Sequence, residues 1–344
     1  MAADESSDRP VTIYEVARAA EVSPSTVSRT FTRPGRVSVR TADHVRAVAA
    51  ELGYRDDTPY RAKSAARNHA IALAVTDATN PFNSAILRSA ANHANKAGYT
   101  MVMMDAQESV AQERSNFDRI LPQVDGVIIA SSLMSDTVLR SVAKTHPLVI
   151  LNRYVGGLPS VVPDTSHGMK QAIAHLLQLN HNTVHYLAGP DSSWISGMRW
   201  LAIRAAAASM GFTAHRVGPI LPSVEGGAAA ASQVIARRAT AVICYNDLMA
   251  MGLTRALTHK GYSIPSDLSI IGCDNIFASD LVMPALTTIA APIGVLGDTA
   301  VKHILAMLVG AKAQLSAPIT IPVRLIVRES TGACPVKRLH LSRA

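Results

Sequence analysis

The chain has 344 residues, of which 48% are hydrophobic and 17% charged, with a formal net charge of +8 and a pI near 9.6. Such a chain is long enough for two or three folding units with their own cores, and too apolar to stay disordered. Its longest apolar runs, AIALAV and GVIIA, fall far short of a membrane span, its three cysteines (Cys244, Cys273, Cys334) are too scattered for a disulfide framework or metal cluster, and its basic balance favours an anionic partner.

The first ten residues, MAADESSDRP, are polar and acidic and read as a tail. They carry no apolar core for a signal peptide, so a reducing cytoplasm is the expected setting. From Val11 to Arg46 the chain places Arg18, Arg29, Arg33, Arg36, Arg40 and Arg46 against Glu15, Glu21 and Asp43. Charge alone fits either a solvated basic face or a contact with an anion. Thr12 and Glu15 have capping-box spacing, with Val11 and Val16 placed as a hydrophobic staple, so a first helix is predicted to about Ala20. Glu21–Val22 turns a corner, and Ser23-Pro24 restarts a helix with a hydroxyl cap and proline at its first position. Val16, Ala17, Ala20, Val22 and Val27 can meet between the two helices, which leaves Pro24, Ser25, Thr26, Ser28 and Arg29 outside. Small hydroxyl side chains beside an arginine suit a DNA major groove, and a plain helical cap with a polar surface is the alternative. Ser38 is placed to cap a third helix, with Val45, Val48, Ala49 and Leu52 on its apolar face.

The run VTIYEVARAAEVSPSTVSRTF, followed by RVSVRTADHVRAVAAELGY, resembles the headpiece of the lactose-repressor (LacI/GalR) family of bacterial transcription regulators. The shared features are V-T-I-x-x-V-A, V-S-x-x-T-V-S-R, V-S-x-x-T and a closing L-G-Y, and the similarity continues to about Gly332. The resemblance implies that Pro24, Ser25 and Arg29 face base edges and that Ser23, Thr26 and Ser28 lie nearer phosphates. Thr12 and Arg36 complete the set expected at DNA within the headpiece, residues 11–55.

Residues 56–70 read as a hinge: polar, with Thr58 and Pro59 placed to start a helix. In the family this segment is a helix whose leucine wedges into the minor groove. Ungapped counting from Tyr54 to Ile71 puts Lys63 at the leucine's place, and Arg55-Asp56-Asp57 replaces the family's lead-in. Lysine would be desolvated inside a base stack, so Lys63 is expected to contact DNA electrostatically, with a shallow bend.

Beyond residue 70, AIALAVTD, TMVMMDA, DGVIIAS, PLVILN, SVVPD, TVHYLAGP, TAVICYND and SIIGCD read as strands, with amphipathic helices between most of them. Nearly continuous apolar strands separated by helices imply parallel sheets covered on both faces, here in two lobes. The expected fold class is therefore α/β: a helix-turn-helix headpiece followed by a two-lobed core of parallel sheets. Several strands end in polar residues, as at Asp77, Asp105, Ser131, Asn152, Asp164, Asn246 and Asp274, where ligands collect and where helix caps also sit.

The segments DxxNPF (77–82), AGP (188–190), YNDLMAMG (245–252), IPSDLSIIGCDN (264–275) and PALTTI (284–289) are similar to the periplasmic-binding-protein-like core of the same family. That resemblance implies an effector held by Arg199, Asn246 and Asp274 of the second lobe, faced by Phe82 and Asn152 of the first. The core would span 71–332, with lobe one about 71–163 and 292–321, lobe two about 164–291 and 322–332, and a tail at 333–344. A guanidinium fork, an amide and a carboxylate together suit vicinal hydroxyls, so a sugar or polyol is expected, with a nucleobase or sugar phosphate as the alternative. Trp194 would supply a stacking face near Arg199 or sit in the core or at the rim. Asn83 stands where the family often has a second aromatic, which leans the pocket toward a polar ligand.

An enzyme is the rival class. The chain lacks G-x-S-x-G, the phosphate-binding G-x-x-x-x-G-K-[ST] loop, H-E-x-x-H and the dinucleotide fingerprint. His175, His181 and His185 are only loosely grouped, so neither a catalytic residue, a metal nor a cofactor is expected. A binding protein without regulatory role would share the core but not the headpiece. The combined expectation is a regulator, most simply a repressor, acting as a homodimer on a near-palindromic DNA operator and controlled by a small polar effector.

Overall fold

A computed structural model describes residues 11–32, 36–52, 54, 67–311 and 317–335. The chain divides into two compact units, Met1–Arg67 and Asn68–Ala344. The expectations for the hinge at residues 56–66, Lys63 among them, and for the tails at 1–10 and 336–344 lie outside the described residues.

In the first unit, helix α1 spans Ile13–Ala19, α2 Pro24–Thr32 and α3 Val39–Glu51. The Glu15 carboxylate accepts from the Thr12 N–H at 2.5 Å and from its hydroxyl at 2.8 Å, closing the capping box. At the corner Glu21 takes a positive φ of 51°, and the Ser23 hydroxyl accepts from the Thr26 N–H at 3.2 Å to begin α2. Ser38 caps α3 in the same way, accepting from Thr41. Val16, Ala17, Ala20, Val27, Val45 and Ala49 form the shared core, and Phe31 meets Tyr54 with ring centroids 5.9 Å apart. One detail differs from the sequence reading: α3 ends at Glu51, so Leu52 becomes its C-cap and stays exposed while Ala42 takes a buried place instead.

The second unit holds two six-stranded sheets. Strands β1 (Ala70–Val75), β2 (Thr100–Asp105), β3 (Gly126–Ala130), β4 (Leu148–Leu151) and β5 (Ser160–Pro163) belong to the first. The second begins with β6 (Thr183–Leu187), β7 (Thr213–Val217), β8 (Ala241–Cys244), β9 (Ser269–Asp274) and β10 (Thr287–Ala290). The short β11 (Ile319–Ile321) then pairs with β5, and β12 (Arg324–Ile326) pairs antiparallel with β10. The orders are β11-β5-β4-β3-β1-β2 and β12-β10-β9-β8-β6-β7, parallel apart from β12. The chain thus passes between the sheets after β5, after β10 and after β11.

Alternation explains how each sheet is covered. In the first, Ile71, Leu73, Ile128, Val149 and Leu151 face a core shared with α4 (Pro81–Lys96) and α12 (Ile293–Leu308). Their neighbours Ala72, Ala74, Val127, Ile129 and Ile150 face the other layer, with α5 (Val110–Ile120) and α6 (Asp136–Ala143). In the second, Val184, Tyr186, Ile243 and Ile271 pack with α7 (Thr165–Gln178) and α8 (Trp194–Ser209). Val242, Cys244 and Ile270 pack with α10 (Ala231–Ala236) and α11 (Asp247–His259), while α9 (Val224–Ala229) lies against α11. A fully buried Ile128 alone contributes about 1.5–3 kcal/mol of transfer free energy. The fold therefore fixes which strand ends face one another.

His181 is fully buried and its Nε2 lies 3.0 Å from the Ser269 hydroxyl and 3.2 Å from the Gly332 carbonyl, fastening the C-terminal segment to the second sheet.

Candidate functional site

A cleft between the two sheets is lined by Thr76, Asn80, Phe82, Asn83, Glu108, Ser131 and Asn152 from the first lobe. Ile195, Arg199, Pro222, Tyr245, Asn246 and Asp274 line it from the second. Each side reaches it in the same way. Thr76, Glu108, Ser131 and Asn152 follow the carboxyl ends of β1 to β4, and Pro222, Asn246 and Asp274 stand at or beyond those of β7 to β9. In a parallel sheet these ends converge on one rim, where ligands bind.

Arg199 is the centre of the second-lobe wall. Its Nη2 donates to the Asp274 carboxylate at 3.1 Å, its Nη1 to the Tyr245 carbonyl, and its guanidinium carbon lies 5.1 Å from the Tyr245 ring centroid. The side chains of the ion pair are 11% and 8% exposed, so the pair is desolvated and holds its geometry. A buried pair of this kind is weak evidence of stabilisation, and this one stands at the rim of the cleft. Burial pushes the Asp274 carboxyl up to about 7, helped by the neighbouring Asp247 and opposed by Arg199. Asn246 caps α11, accepting from the Met249 N–H at 2.9 Å while its amide donates to the Pro222 carbonyl at 2.9 Å. Its orientation is thereby fixed, with one lone pair and one N–H left over for a ligand.

On the first-lobe wall Asn152 is buried and donates to the Ser131 hydroxyl at 3.3 Å. Asn83 donates to the Asp77 carbonyl at 2.7 Å, and Phe82, just inside α4, presents the apolar part of the wall. Glu108, Ser131, Asn152 and Asp274 all have positive φ, at 55°, 58°, 59° and 116°. Left-handed backbone in side-chain-bearing residues is costly and is kept where the surroundings hold it in place, commonly at functional sites.

The structure brings five of the six sequence-named cleft residues together: Phe82, Asn152, Arg199, Asn246 and Asp274. Trp194 is not among the lining residues, which corrects its expected stacking role. It precedes Arg199 by five residues, about 140° around the helix, whereas Ile195 at i−4 shares Arg199's face and does line the cleft. The ring against the guanidinium is that of Tyr245. Thr76, Glu108, Ser131, Pro222 and Tyr245 were not singled out from sequence as ligand contacts. The available signal was the first polar residue beyond each strand, which marked Ser131 but could not separate ligand contacts from caps.

In the helical unit Ser23, Pro24, Ser25, Arg29 and Arg36 are exposed, and Thr12, Thr26 and Ser28 are half-buried. The hydroxyls of Ser25 and Thr26 each lie 2.9 Å from that of Ser23, so the start of α2 presents a small polar cluster with Arg29 further along the helix. Lys63, the remaining residue expected at DNA, lies outside the described residues.

A helix-turn-helix unit carried on the same chain as a two-lobed binding fold defines a ligand-responsive DNA-binding regulator. Two family profiles match the chain: "Bacterial regulatory proteins, lacI family" over residues 12–57, and "Periplasmic binding protein-like domain" over 173–331. The HTH-type transcriptional regulator DegA of Bacillus subtilis is 32% identical, with 93% of this chain and 98% of that protein aligned. The HTH-type transcriptional repressor CytR of Escherichia coli is 30% identical over 94% of this chain and 97% of its own length. Among solved structures, the lac repressor dimer bound to operator and the anti-inducer ONPF matches with TM-score 0.68 and 27% identity, covering 94% of this chain and all of that one. A LacI family regulator from Enterococcus faecium with bound ribose matches with TM-score 0.69 and 30% identity, covering 78% of this chain and 100% of that one. The chain belongs to the lacI family of bacterial regulatory proteins. It is a DNA-binding transcriptional regulator rather than an enzyme. Among the described residues no helix is long and apolar enough to cross a membrane.

Proposed function

We propose that this regulator is a cytoplasmic repressor, a homodimer on a near-palindromic operator, whose affinity is set by a sugar or polyol bound in the cleft. The reading assigns residues 11–55 to operator binding, 56–70 to a hinge and 71–332 to the effector core, with lobe boundaries near 163, 291 and 321. One observation carries it: the buried Arg199–Asp274 pair, beside the oriented Asn246 amide, faces Asn152 across the cleft. Acceptor, donor and amide at one rim match the alternating donors and acceptors of vicinal hydroxyls. The similarity to a ribose-bound relative supports the ligand class, and that to an operator-bound dimer supports the partner.

The free space within the cleft is about 30 Å³, room for little more than water, so a sugar requires the lobes to part before they close on it. Differential affinity for the two arrangements is what couples the cleft to DNA. A typical coupling of about 1–3 kcal/mol changes operator affinity roughly 5- to 150-fold.

The test is a thermal-shift screen of sugars and polyols, followed by calorimetry on the best ligand. Arg199→Ala and Asp274→Ala are expected to abolish ligand-induced stabilisation while ligand-free operator affinity is kept. Unchanged calorimetric binding in both variants places the site elsewhere.

A further inference from the structure

From the charges around the cleft we infer that its effector is uncharged, and that Glu108 is a specificity-determining residue that turns away phosphorylated and carboxylated forms of the same sugars. The inference rests on the cleft being the effector site. Among the residues lining it, Arg199 is the one cation, and Asp274 already compensates it at 3.1 Å. Glu108 has no such cationic partner among the described residues lining the cleft. It lines the opposite wall, held by a left-handed backbone (φ 55°) whose N–H donates to the Thr76 carbonyl at 2.7 Å. Tyr245 lines the facing wall.

Behind Glu108 stand two more carboxylates at the ends of β1 and β2. Asp77 accepts from the Thr79 N–H and hydroxyl at 2.8 and 2.6 Å, and Asp105 accepts from the Ala78 and Gln107 N–H groups at 3.2 and 3.0 Å. Burial and then the negative charges of Asp77, Asp105 and Glu113 raise the Glu108 carboxyl above the ordinary range, against a hydrogen bond from Thr76 that lowers it. Burial is the larger cause, and the three neighbouring carboxylates add to it.

The helix N-termini at the cleft are the features that would favour an anion, and each already has a first-turn N–H bonded to its own cap. Phe82 of α4 donates to the Asn80 side chain at 3.0 Å, and Ser196 of α8 donates to Ser193 at 3.3 Å. Met249 of α11 donates to Asn246, and the first turn of α11 also holds the fully buried Asp247, which occupies that dipole with a charge of the protein's own. A ligand phosphate would therefore meet the Glu108 carboxylate, which no second lining cation balances, and helix ends partly engaged by their own caps. A neutral polyol instead offers hydroxyls that the carboxyl oxygens of Glu108 and Asp274 can accept from.

Full-length protein is titrated calorimetrically with neutral aldoses and alditols, with the terminal phosphate esters of the same sugars and with their uronic acids. At least one neutral member is expected to bind, with its phosphate and its acid weaker by about tenfold or more. Glu108→Gln, which keeps the size and an acceptor but removes the charge, is expected to narrow that ratio to less than about threefold. An anionic form that binds wild type as tightly as its neutral parent overturns the inference, as does an unchanged ratio in Glu108→Gln. The wild-type ratio decides the charge preference even where the variant fails to fold. Arg199→Ala and Asp274→Ala run alongside: binding that survives in both, or no neutral binder at all, overturns the assignment of the cleft and the inference with it.

Discussion

Asp247 shows how one buried side chain organises the second-lobe wall. It is inaccessible to solvent, and its carboxylate accepts from the Thr288 hydroxyl at 2.6 Å, the Ser279 hydroxyl at 2.6 Å and the Ile276 N–H at 3.0 Å. It therefore ties α11 to β10 and to the turn that follows Asp274, the segment that must hold φ 116°. Room for it comes from Gly272, where an added Cβ would lie 2.1 Å from the Asp247 Oδ1 and 2.9 Å from the Leu286 Cδ2. Gly272→Ala is expected to destabilise the core by about 1–3 kcal/mol through overpacking, read as a lower urea midpoint. It should also weaken the ligand found by the screen. Wild-type stability in this variant would show that Asp247 moves aside at no cost. In the sequence SIIGCD reads as an apolar strand within a family-like segment, and nothing in it marks Gly272.

Among elements, the headpiece helices and the fully buried strands were the most legible. Caps at Thr12, Ser23 and Ser38 could be named because a cap is a local contract between residues three apart. β7 is an edge strand whose TAHRV is mostly exposed, so its burial period was absent, and β10 buries two threonines, which shorten its apolar run. β11 and β12 have three residues each, too few for any period. The element with the sharpest functional expectation is α2. Arg29→Ala is expected to cost about 1–3 kcal/mol on specific DNA and to relax preference at one position per half-site, measured by titration of specific and random duplexes. An equal loss on both would demote Arg29 to a phosphate contact.

On the scale of the whole molecule, the chain's passages between the sheets put Arg199 and Asp274 on one side of the cleft and Asn152 and Glu108 on the other. Folding desolvates Asp274 in the process. Burial pushes its carboxyl up to about 7, against about 4 when unfolded, so folding favours the protonated form between those values. Stability contributed by this group is full below about pH 4 and is lost as pH rises toward about 7. Asp247, raised by burial to about 6, adds a slope of the same sign. Urea melts of the Asp274→Asn variant between about pH 4 and 8 are expected to show a flatter decline than wild type, whatever its absolute stability. A decline of equal steepness would mean that Asp274 stays ionised beside Arg199 throughout.

By itself the sequence determined the class of each unit, the helix starts and most buried strands, because caps, turn residues and hydrophobic period are local properties. The motif residues Arg199, Asn246 and Asp274 were legible for a different reason, since they stand in segments similar to a known family. Only the tertiary structure decided that Tyr245 rather than Trp194 lies against the guanidinium, that Asn246 is half spent as a cap, and that Glu108 joins the opposite wall. Those facts depend on which strand ends converge, on the angle around α8 between residues 194 and 199, and on which donors are already used. Hydrophobic period says which face of an element is buried, and it is silent on what stands opposite.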